Sequence, residues 1–515
     1  MWVRAPSSPK ARDLPGVLVD SSQSDLTALQ RDRAVGVLVG AAAGDALGAG
    51  YEFGGFVPSD HPVAMIGGGR GRFQPGEWTA DTSMAIAVAE ALAARANLRF
   101  ENSLDALVER WQWWARNAKD VERRTWEILL AAGQRGATAH AVRDEAAAFA
   151  DRTGRPASSG VLTRAAPVAL RYLDDERGLV TVARAVSELT HPGPDSADAC
   201  VLWCAAIRHA VLTGQLDIRI GLNHIDSQRR ELWRSRIDDA ERAKPSEFAD
   251  TNSHVVPAMQ CAWSAIVTTS APTECPSAEV FRADHLRLVL EAAVRAGGDT
   301  DTVASAAGGL VGARHGVSAV PWQWRLALKG WPGLNTHLLA HLATKIVDSE
   351  VIRRFDYTHG ARREPPRPMR HPRDDYLWIG AAASLDKLPK GIDAVVSLCR
   401  VADGRIPCGV THLDVGLEGE RGANANLDFV LLDTVRAIEG LRAEGREVFV
   451  HDWTVTNRAP AVAALYGSRR RDIDIFEALQ DIRVVLPAVN PRPEFWMALR
   501  RLRPYLGTFV RSGND

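Results

Sequence analysis

Cysteine is scarce in this chain and follows no metal-binding or disulfide pattern. The 515 residues contain six scattered cysteines without a Cys-x-x-Cys spacing: Cys200, Cys204, Cys261, Cys275, Cys399 and Cys408. A zinc knuckle and a disulfide framework both require regularly spaced cysteines, so neither is indicated. This cysteine usage fits a reducing cytoplasm best.

The sequence also lacks an excess of either charge and any apolar run of membrane length. Lys and Arg together number 62, and Asp and Glu number 63, so no overall field attracts nucleic acid or an anionic membrane. No uninterrupted apolar run approaches the ~20 residues that span a bilayer, and the opening MWVRAPSSPKARDLPG has no apolar signal-peptide core. These absences predict a cytoplasmic protein with no membrane contact and no clear nucleic-acid surface, in which an anionic ligand is bound locally.

Composition and periodicity divide the chain into four parts. Residues 1–28 are Pro/Ser-rich and aperiodic, which predicts a flexible arm. Residues 29–350 contain Ala/Leu/Val-rich segments of helical length between Gly, Pro or Asn breaks, and predict an all-α domain. The basic, proline-rich residues 351–374 predict a linker. Residues 375–512 mix short strand patterns with helices and predict a smaller α/β domain, so the fold class is multidomain.

The most distinctive segment is AGGDTDTVAS, in which Asp299, Asp301 and Thr302 follow two glycines. Two unit charges ~4 Å apart repel by about 1 kcal/mol in water and about 4 kcal/mol at a partly buried site. A hard divalent cation would convert that repulsion into binding, because such ions prefer carboxylate and hydroxyl oxygens. A helix N-terminus capped by Asp or Thr is the alternative, and this segment alone fits both.

Two further oxygen-rich clusters lie in the same helical region. GAAAGDALGAGYE carries Asp45 and Glu52 on a glycine-rich segment, whose small residues allow close helix contacts. GEWTADTSM places Thr79 and Asp81 at the entry to an Ala-rich helix. Each cluster alone could be a helix cap, but three in one domain favour a shared site.

Together these clusters resemble the ADP-ribosylglycohydrolase family, of the dinitrogenase-reductase-activating type. The matching motifs follow the family's order across about residues 30 to 345: GDALGxxxE from Gly44, TxDT from Thr79, SGVLTRAAPVAL from Ser159, LTHPGPDSADA from Leu189 and GGDTDTVASAAGGLVGARHG from Gly297. The resemblance implies an all-helical hydrolase with a binuclear Mg²⁺ or Mn²⁺ site. Such an enzyme would release ADP-ribose from an ADP-ribosylated protein or from an ADP-ribose-containing small molecule.

The resemblance also implies roles for individual residues. The implied metal ligands are Thr79, Asp81, Asp299, Asp301 and Thr302. Glu52 would hold or activate water near the anomeric carbon, with Asp81 and Asp301 as the other catalytic carboxylates. The implied substrate-binding residues are Gly44, Asp45, Ser159, Gly160, His191 and Gly298; a purely structural role is the alternative for His191.

Two positions depart from the family's pattern. Where the family usually has Thr-Asp-Asp-Thr, this chain has Ala80 between Thr79 and Asp81, so one expected carboxylate ligand is a methyl group. Water can replace that ligand at a loss of charge and rigidity. Ser159 stands where Asn is common in the family. Weakened, metal-dependent hydrolysis is one hypothesis, and a non-catalytic ADP-ribose-binding regulatory protein is the other.

The C-terminal domain resembles the tyrosine and dual-specificity phosphatases. In VFVHDWTVTNRAP, His451, Asp452, five residues and Arg458 match the loop in which His-Cys, five residues and Arg enclose a phosphate at a helix N-terminus. Asp452 replaces the nucleophilic cysteine and places a negative charge where phosphate would sit. The sequence therefore predicts a pseudophosphatase, with Arg458 paired to Asp452. A phosphatase that uses Asp452 is the competing hypothesis, with Asp414 and Glu418 as alternative general acids.

Overall fold

The computed structural model describes residues 26–55, 57–348, 367–402 and 404–503. Within these ranges, a helical domain is followed by a smaller domain with a central sheet, so the predicted fold class is confirmed. In the described part of the chain, no helix is both long and apolar enough to cross a membrane. Most of the predicted arm and linker lies outside the described residues.

The helical domain is built from helices that are mostly separated by short loops. Its α-helices are α1 (Ala28–Gly48), α2 (Ala80–Ala93), α3 (Glu101–Asn117), α4 (Arg123–Gln134), α5 (Ala139–Thr153), α6 (Gly160–Ala165), α7 (Pro167–Arg171), α8 (Glu176–Glu188), α9 (Pro194–Thr213), α10 (Arg230–Arg242), α11 (Val255–Thr268), α12 (Asp284–Ala296), α13 (Thr300–His315), α14 (Trp322–Ala327) and α15 (Thr336–Val347). A small hairpin of β1 (Lys329–Gly330) and β2 (Leu334–Asn335) precedes α15.

Helix α1 starts inside the segment that the sequence assigns to the flexible arm. Thr27 and Gln30 form a capping box, in which each side chain accepts a hydrogen bond from the other's backbone amide. The cap satisfies amides that the first helical turn leaves unpaired. The ordered domain therefore includes Leu26, which is buried, and Thr27.

Helices α1 and α13 pack antiparallel, with backbone against backbone. A Cβ atom added to Gly40 would lie 2.4 Å from the Gly308 carbonyl oxygen, and one added to Gly44 would lie 2.0 Å from that of Ala304. Real Cβ atoms do not approach backbone this closely, so glycine is required at both positions. The C-terminal end of α1 consequently lies beside the N-terminal end of α13, which carries Asp301.

The second domain contains a five-stranded, mostly parallel sheet. Its strands are β3 (Met369–His371), β4 (Asp374–Ala381), β5 (Ile392–Ser397), β6 (Thr411–Asp414) and β7 (Glu447–Asp452), in the order β3-β4-β7-β5-β6. Only β3 is antiparallel to its neighbour. The helices are α16 (Leu427–Ala443), α17 (Arg458–Arg471), α18 (Ile475–Val485) and α19 (Pro493–Arg501).

The sheet begins earlier than the sequence predicts. Met369 and Arg370 pair with Ile379 and Trp378 of β4, so residues 369–371 belong to the sheet and not to the linker. The segment RPMRHPRDD has no apolar alternation because β3 lies at the edge, with two of its three residues exposed. The rest of the linker, residues 351–366, lies outside the described residues.

Candidate active site

The site begins with a buried aspartate that fixes the start of α2. Asp45 of α1 is fully buried, and its carboxylate accepts hydrogen bonds from the backbone amides of Thr79 and Thr82, both at 2.9 Å. These amides belong to the first turn of α2, which lacks intrahelical partners. Asp45 thereby holds Thr79 and Asp81 in place.

Three carboxylates converge beside this turn. Glu52, Asp299 and Asp301 each offer one oxygen, and these oxygens lie within 4.8 Å of one another. Asn252 holds the backbone of Asp299 in place, because its Oδ1 accepts a hydrogen bond from the Asp299 amide at 2.8 Å. Gly298 holds the segment that carries Glu52, because its carbonyl accepts a hydrogen bond from the amide of the next residue, Phe53, at 2.7 Å. Gly298 has a φ of +74°, which favours glycine.

Asp81 joins this carboxylate group through hydroxyl side chains. Thr302 Oγ1 donates to one Asp81 oxygen at 2.8 Å, and Thr163 Oγ1 donates to the other at 2.7 Å. Ser159 Oγ donates to Asp299 at 2.5 Å. Asp299 precedes α13 but makes no side-chain cap hydrogen bond. The arrangement therefore favours a shared oxygen-rich site over a simple cap at Asp299.

The carboxylates strongly perturb one another. Burial, reinforced by the Asp299 charge, raises the pKa of Glu52 to about 7. Burial together with the Asp45 charge raises the pKa of Asp81 to about 7. Burial, and then repulsion from Asp299 and Glu52, raises the pKa of Asp301 well above its usual range. Such shifts arise where burial and neighbouring negative charges outweigh the attraction of nearby cations, here the Arg70 charge that acts on Glu52 in the opposite direction.

These residues fit a hard divalent cation. Among the described residues, no Lys, Arg or His forms an ion pair with Asp45, Glu52, Asp81, Asp299 or Asp301. An all-oxygen donor set with surplus negative charge suits Mg²⁺ or Mn²⁺. Glu52, Asp299 and Asp301 are the best-placed ligands, with Asp81 and Thr302 adjacent.

Two predicted substrate-binding residues make structural contacts of their own. Gly44 faces the α13 backbone, so it serves helix packing. Asp45 is fully buried, and each of its carboxylate oxygens accepts a hydrogen bond from a backbone amide in the first turn of α2. It therefore caps the N-terminus of that helix. The sequence pattern could not separate these roles, because a packing glycine and a buried cap look like a ligand loop when their partners are unknown.

The remaining predicted substrate residues surround the carboxylates. A Cβ on Gly160 would lie 3.1 Å from Asp81 Oδ1, which shows how closely this backbone approaches the group. His191 is fully buried behind Ser158, with its Nε2 2.5 Å from Ser158 Oγ. Burial, with the charges of Arg164 and Arg124, lowers the pKa of His191 well below its usual range. A neutral, buried imidazole favours the structural alternative for this residue.

Sequence reasoning missed three residues that organise the site. Thr163 and Asn252 contact Asp81 and Asp299 directly. Arg164 is buried, donates to the Gly160 carbonyl at 2.9 Å, and so orients the backbone next to Asp81. Thr163 and Arg164 lie within the SGVLTRAAPVAL motif, which could have directed attention to them. Asn252 lies in no motif singled out from the sequence.

The phosphatase-like loop is filled by its own carboxylate. Asp452 is buried at the end of β7 and accepts hydrogen bonds from the backbone amides of Thr454 (3.1 Å), Val455, Arg458 (2.9 Å) and Ala459 (3.2 Å). Val455 has a φ of +58°, which turns successive amides toward one centre. Such amide nests and helix N-termini bind anions. Here the anion is supplied by the protein chain.

Arg458 does not pair with Asp452 through its side chain, contrary to the sequence prediction. Its guanidinium donates to the Leu417 carbonyl at 2.5 Å, and only its backbone amide binds Asp452. The two candidate general acids are also engaged: Asp414 contacts His337 Nδ1 at 3.0 Å, and Glu418 pairs with Arg400 at 2.8 Å. His451 lies behind the loop, with its Nε2 2.7 Å from Ser397 Oγ.

Comparisons with known proteins agree with both domains. The family model for ADP-ribosylglycohydrolase matches residues 26–353. ADP-ribosylarginine hydrolase Tri1 of Serratia proteamaculans (strain 568) is 26% identical over 320 residues, which cover 62% of this chain and 79% of that protein. ADP-ribosyl-[dinitrogen reductase] glycohydrolase of Rhodospirillum rubrum is 28% identical over 298 residues, covering 57% and 89%. Protein phosphatase Slingshot homolog 3 of Mus musculus is 29% identical over 141 residues, covering 27% and 21%.

The helical domain is thus matched by a family of glycohydrolases. The chain belongs to the ADP-ribosylglycohydrolase family. Its C-terminal region is similar in sequence to protein phosphatase Slingshot homolog 3.

Proposed function

We propose that this protein is a metal-dependent hydrolase that releases ADP-ribose from an ADP-ribosylated protein or from an ADP-ribose-containing small molecule. The observation that carries the proposal is the convergence of Glu52, Asp299 and Asp301, none of which forms an ion pair with a Lys, Arg or His among the described residues. Family membership and the substrates named for two relatives support it. A binuclear site would draw further oxygens from Asp81, Thr79 and Thr302.

The residues suit hydrolysis of a glycosidic bond. Bound Mg²⁺ or Mn²⁺ would orient the ribose hydroxyls and lower the pKa of a coordinated water. Glu52 is half-buried beside Asp299 and Asp301, where its carboxylate could hold or activate a water near the anomeric carbon. Asp81 and Asp301 place negative charge where an oxocarbenium-like transition state develops positive charge. Ser159 and Thr163 hold Asp299 and Asp81 in position.

The direct test is release of free ADP-ribose from a mono-ADP-ribosylated protein during a titration with Mn²⁺ or Mg²⁺. We expect release that depends on the metal and falls by at least about a hundredfold in Asp301→Asn, because loss of an acid–base or electrostatic group costs roughly 10²–10⁴ in rate. Asp151→Asn, on the exposed face of α5, is the matched control. Equal activity of Asp301→Asn and the unsubstituted protein would contradict the proposal.

A non-catalytic ADP-ribose-binding protein is the second candidate, because Ala80 removes an expected ligand. Ala80 is the first residue of α2, directly before Asp81, and presents only a methyl group. Calorimetry with ADP-ribose separates the candidates. Binding without release at every metal concentration would support the second, particularly if Ala80→Asp restored release.

We also propose that the C-terminal domain is a pseudophosphatase. The position of Asp452 in the loop supports this. A phosphate dianion that entered the loop would be repelled by the Asp452 carboxylate, and the loop amides that would bind it already donate to that carboxylate. We expect no turnover of p-nitrophenyl phosphate and no tungstate binding by the unsubstituted protein. Removing the carboxylate in Asp452→Gly vacates the amides, so tungstate should then bind. Turnover by the unsubstituted protein that disappears in Asp452→Gly would instead identify a phosphatase.

A further inference from the structure

The phosphatase-like domain reaches the ends of the α1–α13 pair that lie away from the carboxylates. Asn426 Nδ2, immediately before α16, donates to the carbonyl of His315, the last residue of α13, at 2.7 Å. The same nitrogen lies 2.8 Å from Ser318 Oγ. Ser318 Oγ in turn donates to Asp32 of α1 at 2.7 Å. One side chain of the second domain is therefore linked to both helices.

The contact satisfies groups that helix geometry leaves exposed. The last four carbonyls of an α-helix have no intrahelical partner, and His315 contributes one of them. Asp32 also accepts the Ser318 amide at 3.0 Å, so the start of α1 and the segment after α13 are joined twice. Asn426 completes this arrangement from outside the helical domain.

Helices α1 and α13 run from the Asn426 contact to the carboxylates. Where their glycines meet, the helices touch through backbone atoms and not through side chains that could change rotamer. From Gly36 to Gly48, α1 lies against the α13 backbone at every fourth residue, where a Cβ would come within 2.5 Å of a backbone atom. This stretch is about 18 Å long at 1.5 Å per residue. Asp301 lies at one end of the contact, because its Cα is the neighbour of Gly48. A displacement at the Asn426 end is therefore transmitted through backbone.

The two domains are joined by more than this contact. Most of their buried apolar side chains form one contiguous core that spans both domains, and a smaller cluster around Val395 and Phe449 lies within the second domain. Trp322 packs so closely on α16 that a Cβ on Gly440 would lie 2.7 Å from its ring. Phe281 and Phe429 meet edge to face across the boundary, with ring centroids 5.7 Å apart. Asn426 thus acts from a fixed domain.

We propose that the phosphatase-like domain has a positioning function for the hydrolase: it holds the far ends of α1 and α13 through Asn426 and so sets the spacing of the carboxylates that bind metal. Asn426 is a positioning residue, since it touches neither substrate nor metal ligands. The inference rests on the proposed metal site, and does not depend on which acceptor is hydrolysed.

The test compares Mn²⁺ binding by full-length Asn426→Ala and by full-length Asn424→Ala. Asn424 lies two residues away, and among the described residues its side chain bonds the backbone of Glu418 in its own domain. We expect Asn426→Ala to weaken Mn²⁺ affinity by about fivefold or more in calorimetry, the lower end of ordinary coupling between sites. The electron paramagnetic resonance spectrum of bound Mn²⁺ should change as well, which mere loss of stability would not cause. Asn424→Ala should match the unsubstituted protein in both measurements.

A second variant keeps the test decisive if Asn426→Ala does not fold. Ser318→Ala removes the link from Asn426 to Asp32 and leaves the bond to His315 in place, so we expect a smaller shift in the same direction. Unchanged Mn²⁺ affinity and an unchanged spectrum in the folded variants would overturn the inference while the metal site stands. Absence of Mn²⁺ binding by the unsubstituted protein would overturn the proposed metal site itself, and the inference with it.

Discussion

Arg325 of α14 and Asp433 of α16 form an ion pair at 3.3 Å across the domain boundary, with only 4% and 5% of their side chains exposed. Arg325 also donates to the Asp414 carbonyl at 3.2 Å. Burial raises the pKa of Asp433 to about 6, with the Arg325 charge acting in the opposite direction. Removal of the guanidinium would leave a buried carboxylate without its partner.

Arg325→Met should therefore destabilise the whole chain, and not one domain. Breaking a buried ion pair by removing one partner costs about 3–5 kcal/mol, whereas replacing both partners with apolar residues is often neutral. We expect a large fall in the urea midpoint for Arg325→Met and recovery of most of it in Arg325→Met/Asp433→Leu.

The same interface offers a control for that measurement. Arg436 and Glu279 also pair across the domain boundary, but their side chains are 37% and 39% exposed. Arg436→Met should cost less than about 1 kcal/mol, as exposed pairs do. Equal losses of unfolding free energy in Arg325→Met and Arg436→Met would show that burial of the Arg325–Asp433 pair does not increase its contribution to stability.

Ala80→Asp should strengthen metal binding. The new carboxylate would enter the first turn of α2, where the helix dipole favours an acid, beside Asp81. We expect about a tenfold lower Kd for Mn²⁺, equivalent to about 1.4 kcal/mol. Calorimetry measures this, and Ala80→Asn, which adds similar bulk without charge, is the control. An affinity unchanged by Asp, or equally increased by Asn, would exclude a ligand role for this position.

Gly40→Ala should separate α1 from α13. Its Cβ would lie 2.4 Å from the Gly308 carbonyl oxygen, and that neighbour is backbone that cannot rotate away. Overpacking of this kind costs about 1–3 kcal/mol, which exceeds the gain of up to about 1 kcal/mol from helix propensity. Thermal denaturation should show a lower Tm. Gly55→Ala, where a Cβ meets nothing within 4 Å, should leave the Tm nearly unchanged.

The metal-free protein should become less stable as the pH rises from about 4 to about 7, because Glu52 and Asp81 titrate at higher pH in the folded state than in the unfolded chain. Burial and neighbouring charges raise the pKa of Glu52 from 4.5 and of Asp81 from 3.8 to about 7. In this interval the folded state keeps protons that the unfolded chain has released, so stability falls as pH rises. A cation that binds the ionised carboxylates should reverse this trend.

Urea titrations at pH 5 and pH 7.5, with EDTA or with Mn²⁺, measure the effect. Other groups also titrate, so the informative quantity is the difference between the unsubstituted protein and Asp81→Asn. In EDTA the variant should lose less stability between the two pH values. The same pH dependence for both proteins would show that Asp81 does not hold its proton in the folded state.

The sequence indicated the fold class, a helical domain followed by a smaller domain with a sheet, but not which residue contacts which partner. Asp299, Asp301 and Glu52 could be grouped because their motifs occur together, and the structure places their oxygens near one another. Asn252 could not be found, since a single asparagine that orients Asp299 from a separate segment leaves no local pattern. The packing role of Gly44 could not be found for the converse reason: the residue that requires a glycine there, Ala304, is 260 positions distant in the chain.

Strand β3 and the interdomain contacts show a similar limit. Periodicity reports which residues are buried in a regular element, and an exposed edge strand of three residues has almost none. Asn426 and Arg325 act between domains that the sequence analysis treats separately. The roles of these residues depend on the docking of the two domains, which no local pattern encodes.

The backbone contact between α1 and α13 also bears on which ions the site accepts. Glu52 follows the end of α1 and Asp301 is the second residue of α13, so the contact of Gly48 with the Asp301 backbone limits how far apart their backbones can lie. No side-chain rotamer at this contact can change that limit. The oxygens therefore have little freedom to follow ions of different radius, and a large ion such as Ca²⁺, which needs 6–8 oxygens at about 2.3–2.6 Å, should be disfavoured relative to one the size of Mg²⁺, which needs about 2.0–2.1 Å. Ionic radius would then be discriminated by main-chain geometry.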